Sequence, residues 1–380
     1  MQHASRPVDR RRVLRGLGLL ALAPAASEAL AAGPSQPDLS RGVNLSHWFA
    51  QSFEGYGAGH LERFVTRADI ARIAAAGFSH VRLGFEPDIV FAREGAPALD
   101  EAMVARLAGA IAMILATPLA VVLDMHPVGA DKERYLTPAG ADRLVANWTL
   151  LAKRLAGSDP GRVAFEILNE PEPLKGEAWW QLQGRIVAAI RAVDASRTLV
   201  VNGGGWSGIE DLVARTPYPH KNLVYTVHHY APLLFSHQGA DWTWDVAGRT
   251  HGLGWPIAPE DADAASQAAL AEAGDRATLR DQIARGLFTQ AALAQQFASL
   301  AAWRDRHGGP TLYCGEFGVY LKVAPPQARL RWLAASRAAC ERNRIGWALW
   351  DNSRDFGFLA EGAGRDIDAG TLHALDLGKA

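Results

Sequence analysis

Eight short apolar runs recur along the chain, and helical spacing fills most of the intervals between them. The runs span Arg41–Asn44, His80–Leu83, Leu119–Met125, Val163–Leu168, Leu199–Asn202, Leu223–His228, Leu312–Glu316 and Gly346–Trp350. The helical segments include Ala68–Ala76, Glu101–Leu115, Ala141–Ala156, Trp179–Val193, Ala291–Arg306 and Ala328–Arg342. Strand alternating with helix requires parallel pairing through crossover connections. Eight such strands predict a closed (β/α)8 barrel of the α/β class, its interior filled by layered side chains. An open doubly wound sheet would carry a glycine-rich phosphate turn after its first strand, and Asn44-Leu45-Ser46-His47-Trp48 is nothing of the kind. The rhythm breaks only between Tyr230 and about Phe288, where no strong strand is visible. A loop of that length is either functional or carries its own helices. It is expected to follow strand six and to wall one side of a site. Residues 41–380 are expected to form a single domain.

The N-terminal stretch stands outside that pattern. Arg10-Arg11-Arg12 precedes a short apolar run from Leu17 to about Ala26, and Ala29-Leu30-Ala31 supplies a small-x-small cleavage site. Residues 1–31 are similar to a twin-arginine export signal, with residues 32–40 as a linker. The mature protein is thus expected in the periplasm or secreted, not in a membrane. Cys314 and Cys340 are the chain's two cysteines. Strand alternation puts Cys314 on the same side as Glu316, with Cys340 on the following helix, so two free thiols are expected.

A net charge of −1 offers no field for nucleic acid or anionic lipid, which leaves an uncharged partner. Twelve tryptophans are the one unusual count, and exposed indoles serve as flat stacking platforms. In a barrel, reactive groups stand at the C-terminal ends of strands. Strand two ends near Arg82, strand three in Asp124-Met125-His126-Pro127, and strand four in Asn169-Glu170-Pro171. Strand six ends in His228-His229-Tyr230, strand seven in Gly315-Glu316-Phe317-Gly318, and strand eight at Trp350. Polar groups directly after apolar strands cost desolvation unless they pair with each other or with a ligand. Any one of them has a bland reading, a helix cap for Glu170 or packing for Trp350. Six strand ends together make a site.

In that order, Arg82, His126, Asn169-Glu170, His228 and Tyr230, Glu316 and Trp350 resemble the constellation of glycoside hydrolase family 5, the cellulase family, over residues 41–352. The segment Phe235–Trp242 is similar to a loop in bacterial endoglucanases of that family. Pro127 departs from the small or polar residue usual after the histidine, which affects the neighbouring subsite. The resemblance implies a cofactor-free retaining glycosidase acting on a polysaccharide or oligosaccharide, with Glu170 as acid/base and Glu316 as nucleophile. It also implies that His228 hydrogen-bonds Glu170, that Asn169 binds the sugar 2-hydroxyl, and that Trp350 stacks beneath that sugar. The chemistry asks for such neighbours independently. Two carboxyls about 5–5.5 Å apart perform double displacement. The nucleophile needs cationic and hydrogen-bonding partners, here Arg82 and Tyr230, and the acid needs partial burial.

His47, Trp48, Trp206 and Trp242 are candidates for lining the cleft, each with packing as its alternative. The similar loop favours an internally cut β-1,4-glucan, such as cellulose or mixed-linkage glucan. A β-mannanase, a β-1,3-glucanase or a non-catalytic carbohydrate-binding protein are the other readings. No H-E-x-x-H, haem, iron–sulfur or dinucleotide signature supports a metal or redox protein. A monomer without metal is expected.

Overall fold

Eight strands form where the apolar runs were read. They are β1 (Arg41–Phe49), β2 (His80–Phe85), β3 (Ala120–Met125), β4 (Val163–Glu166), β5 (Thr198–Asn202), β6 (Leu223–His229), β7 (Thr311–Phe317) and β8 (Gly346–Leu349). In this computed structural model, which describes residues 36–359 and 366–378, they close into one barrel in sequence order, with β8 pairing parallel to β1. The export signal read in residues 1–31 lies outside the described residues. Among the described residues no helix is long and apolar enough to cross a membrane.

The helices follow from simple patterning. Helix Glu101–Leu115 buries Val104, Leu107, Ile111 and Ile114, a three- and four-residue spacing that aims one stripe at the barrel. Its first turn is capped by the Asp100 carboxylate, which accepts from the Met103 amide at 2.9 Å. Each such buried aliphatic side chain contributes about 1.5–3 kcal/mol. Strand alternation divides the rest of the core. Val43, Val81, Val121 and Val163 face outward to the helices, while Val122, Ala164, Val200, Val224, Tyr313 and Ala348 cluster inside the barrel. One layer further toward the C-terminal mouth the interior turns polar, with Asn44, Arg82, Asp124 and Glu166 all buried.

The interval after β6 does carry its own helices, Leu233–Ser236, Asp245–Arg249, Ala262–Ala269 and Ala273–Ala284. Phe235 and Trp255 pack together in its interior, and the Gln238 side chain ties it shut by bonding the amide and the carbonyl of Leu253.

Two bulges overturn expectations based on strict alternation. On β7 the pairing steps from Val227↔Cys314 to His228↔Glu316, which leaves Gly315 as an extra residue. Cys314 therefore faces the helical shell and Glu316 the barrel mouth, on opposite sides rather than the same one. Glycine is required there, because a Cβ on Gly315 would meet Thr226 Oγ1 at 2.8 Å. Both cysteines are free and buried, as expected. On β1 the register shifts between Leu45 and Phe49, and His47 takes a left-handed φ of 58°. That turn swings Trp48 out of the mouth and into the core. Only 2% of it is exposed, and its Nε1 donates to the Leu61 carbonyl at 2.8 Å. Trp48 is a core residue and does not line the cleft.

Candidate active site

Arg82 stands at the centre of the mouth, and its guanidinium organises everything around it. Nε and one Nη2 hydrogen go to the two oxygens of Glu166, both at 2.8 Å. Nη1 donates to Asn44 Oδ1 at 2.9 Å and to Glu316 Oε1 at 2.7 Å. Nη2 also donates to Asn169 Oδ1 at 2.9 Å and lies 3.1 Å from Asp124 Oδ2. The five donors of the fork are thereby taken up. Tyr230 donates its hydroxyl to the other Glu316 oxygen at 2.8 Å. Burial holds that phenol proton far above its ordinary range, so Tyr230 stays a donor.

Glu170 approaches Glu316 from the opposite strand end. Carboxylate oxygens of the two residues come within 4.8 Å of each other. His228 sits between them, its Nδ1 2.9 Å from Glu170 Oε1 and 3.5 Å from Glu316 Oε2. Burial lowers the His228 pKa to about 4, so the imidazole is neutral near pH 7. Burial raises the Glu170 carboxyl to about 7, against the pull of Lys132 and Arg82. Two carboxyls so placed, one held by a cation and one protonated near neutrality, can perform proton donation and nucleophilic attack across one bond.

Glu170 adopts a left-handed φ of 34°, a conformation that costs a non-glycine residue about 1 kcal/mol or more. Lys132 secures it by donating to the Glu170 carbonyl at 2.6 Å while pairing with Glu172 at 3.0 Å. On β3, His126 Nδ1 lies 2.7 Å from Asp124 Oδ2, and its ring stacks on Trp350 with centroids 5.6 Å apart. Burial keeps His126 neutral, so an Nδ1–H donated to Asp124 leaves Nε2 as an acceptor. The next strand-six histidine, His229, alternates outward and packs on Trp332 and Phe297.

A cleft of about 840 Å³ opens beside this centre. Trp350, His47 and Trp242 line it, together with Phe53, Tyr56, Glu86 and Arg354. His47 stacks on Phe53 at 5.1 Å, and Trp242 is 57% exposed, edge-on to Tyr320. Trp206 is exposed after β5 but does not line this cleft. The structure thus brings together Arg82, His126, Asn169, Glu170, His228, Tyr230, Glu316 and Trp350, and places His47 and Trp242 on the wall.

Sequence reasoning missed Asn44, Glu166 and Lys132 as members of the site, and named Asp124 at the end of strand three without giving it a role. A signal for Glu166 existed: an arginine buried on a strand needs buried carboxylates, and Val163–Leu168 carries one in mid-run. Lys132 gave none. Glu170, His228 and Glu316 together could present three ligand atoms to a metal ion, but Arg82 already supplies the positive charge at Glu316.

Residues 41–355 match the profile of the family described as Cellulase (glycosyl hydrolase family 5). Endoglucanase C of Acetivibrio thermocellus is 27% identical over 317 residues, covering 82% of this chain and 90% of its own length. Cellodextrinase A of Ruminococcus flavefaciens is 28% identical over 303 residues, 77% of this chain and 79% of its own. Among solved structures, Thermotoga maritima Cel5A in complex with cellobiose superposes with a TM-score of 0.71 at 25% identity, covering 89% of this chain and 97% of its own. With the matching profile spanning the whole barrel, from β1 to beyond β8, this chain is a glycosidase and belongs to the cellulase family, glycosyl hydrolase family 5.

Proposed function

We propose that the protein is a retaining, endo-acting β-1,4-glucanase in which Glu316 is the nucleophile and Glu170 the acid/base. The observation that carries this reading is the approach of the two carboxyls to within 4.8 Å, one paired with Arg82 and the other raised to about 7. Glu316 attacks the anomeric carbon while Glu170 gives its proton to the departing glycosidic oxygen. The resulting glycosyl ester on Glu316 is hydrolysed by a water whose proton returns to Glu170, and the anomeric configuration is restored. Asn169, locked by Arg82 through its Oδ1, keeps its amide N–H free to meet the sugar 2-hydroxyl. Trp350, backed by the His126 ring, offers an apolar platform to the sugar C–H face.

The names of the endoglucanase relatives and the cellobiose complex of a structural neighbour support β-1,4-glucan as the polymer. An open cleft of about 840 Å³ suits binding within a chain rather than at its end. The near-neutral net charge suits an uncharged glucan, and we take the mature enzyme to be an exported monomer, on the export pattern of residues 1–31. The test is a product profile on carboxymethyl-cellulose, lichenan, laminarin and mannan. A rapid viscosity fall on the first two, with mixed oligosaccharide products, is expected. Exclusive action on mannan or laminarin would overturn the substrate, and release of a single sugar or disaccharide from chain ends would overturn the mode.

A further inference from the structure

We propose that Asp124 and Glu166 are positioning residues that hold Arg82 beneath the two reacting carboxyls and, through their negative charge, keep the acid proton on Glu170. This rests on the assignment of Glu170 as the acid.

The geometry comes first. Arg82 makes its paired, fork-to-fork contact with Glu166 and gives Glu316 a single N–H. The guanidinium is therefore oriented from below, and the nucleophile receives only what that orientation leaves. Asp124 and Glu166 are register partners on β3 and β4, and both are wholly buried, so neither can touch a sugar. Fully buried carboxylates cost desolvation that an apolar pair of similar volume would not. What calls for them is the buried Arg82, so the whole charged cluster is kept for what Arg82 does at the mouth and not for stability.

Charge supplies the reason. Two cations press on Glu170, Lys132 at its carbonyl and Arg82 alongside, and cations strip protons from carboxyls. The groups facing this centre are Arg82 from β2, His126 beside Asp124 on β3, Lys132 from the segment after β3, and Glu172 beyond β4. His228 and Tyr230 face it from β6, Tyr313 and Glu316 from β7, and Asp351, its carboxyl pushed up by burial, from the end of β8. The histidines are neutral through burial, and both tyrosines hold their protons. Beside Glu316 and Glu172 at the mouth, the negative charge beneath it is the carboxylate tier, where burial pushes Asp124 and Glu166 up and the adjoining Arg82 guanidinium pulls both back down toward the charged form. Asp124 and Glu166 both act to raise Glu170, after burial itself. Asp124 takes both its contacts, from His126 Nδ1 and Arg82 Nη2, on Oδ2, and its Oδ1 has no hydrogen-bond partner among the described residues.

The test is the pH dependence of kcat/KM for Glu166→Gln and Asp124→Asn on an oligosaccharide with a poor leaving group. Removing one negative charge should loosen the Glu170 proton, so the alkaline limb near 7 should move to lower pH by about one unit. Glu166→Asp, which keeps the charge, should leave the limb in place even where activity falls. A structural role would lower the profile without moving it, and an unmoved limb in folded Glu166→Gln or Asp124→Asn overturns the proposal. Should both variants fail to fold, ¹³C titration of Glu170 in Glu166→Asp and wild type decides it, an unequal midpoint counting against the charge role. Glu170→Ala is run beside them. If it keeps the wild-type alkaline limb, the acid assignment itself is wrong, whatever the tier variants do.

Discussion

Arg82, at the centre of the mouth, has every N–H committed to a partner, whereas Trp242, on the cleft wall, is more than half exposed and rests only edge-on against Tyr320. The first sits on a strand and is fixed from β1, β3, β4 and β7. The second sits on the insertion after β6 and keeps an open face toward solvent. The contrast separates chemistry from binding. Groups that must hold charges in place are built on strand ends and locked by buried partners, because electrostatic stabilisation works only when preorganised. Groups that must accept a polymer are built on loops and left with open faces.

That contrast can be broken at several levels. Glu316→Ala should cost roughly 10⁴-fold or more in turnover, and azide should restore part of it as a glycosyl azide of inverted configuration. Glu170→Ala should retain turnover on aryl glycosides with good leaving groups while losing the alkaline limb, which in the wild type falls as pH rises through about 7. Arg82→Lys is next. A single ammonium cannot replace a fork shared among Glu166, Asn44, Asn169 and Glu316, so kcat should drop about 10²–10³-fold with the fold intact by circular dichroism. On the wall the effect should change in kind. Trp242→Ala should raise KM for cello-oligosaccharides about three- to tenfold and leave kcat nearly untouched, as expected for a lost stacking face. A kcat loss there equal to that of Arg82→Lys would erase the distinction. Smallest is Trp48→Phe, which removes the bond to the Leu61 carbonyl. It should lower stability by about 1 kcal/mol in chemical denaturation without altering either kinetic constant.

The barrel was legible because its strands are continuous apolar runs, and the order of polar residues at their ends survives any error of one or two positions. Glu170 and Glu316 were read at two such ends, and the structure brings their carboxyls together. What escaped depended on breaks in alternation or on partners far apart in the chain. Trp48 reads as a mouth residue until the left-handed turn at His47 is known, and Cys314 reads as a neighbour of Glu316 until Gly315 is seen as a bulge. Glu166 lies 84 residues from Arg82 and Lys132 lies 38 from Glu170, so neither pairing leaves a local pattern. His228 and His229 show the opposite case. Simple alternation sends one to the site and the other to the shell, and the structure agrees.

The most direct measurement is the configuration of the first product, followed by ¹H NMR during hydrolysis of a soluble cello-oligosaccharide. With Glu170 and Glu316 flanking one bond in double displacement, the β-anomer should appear first and mutarotate afterwards. Initial release of the α-anomer would mean single displacement by water, and the roles given to the two glutamates would not stand.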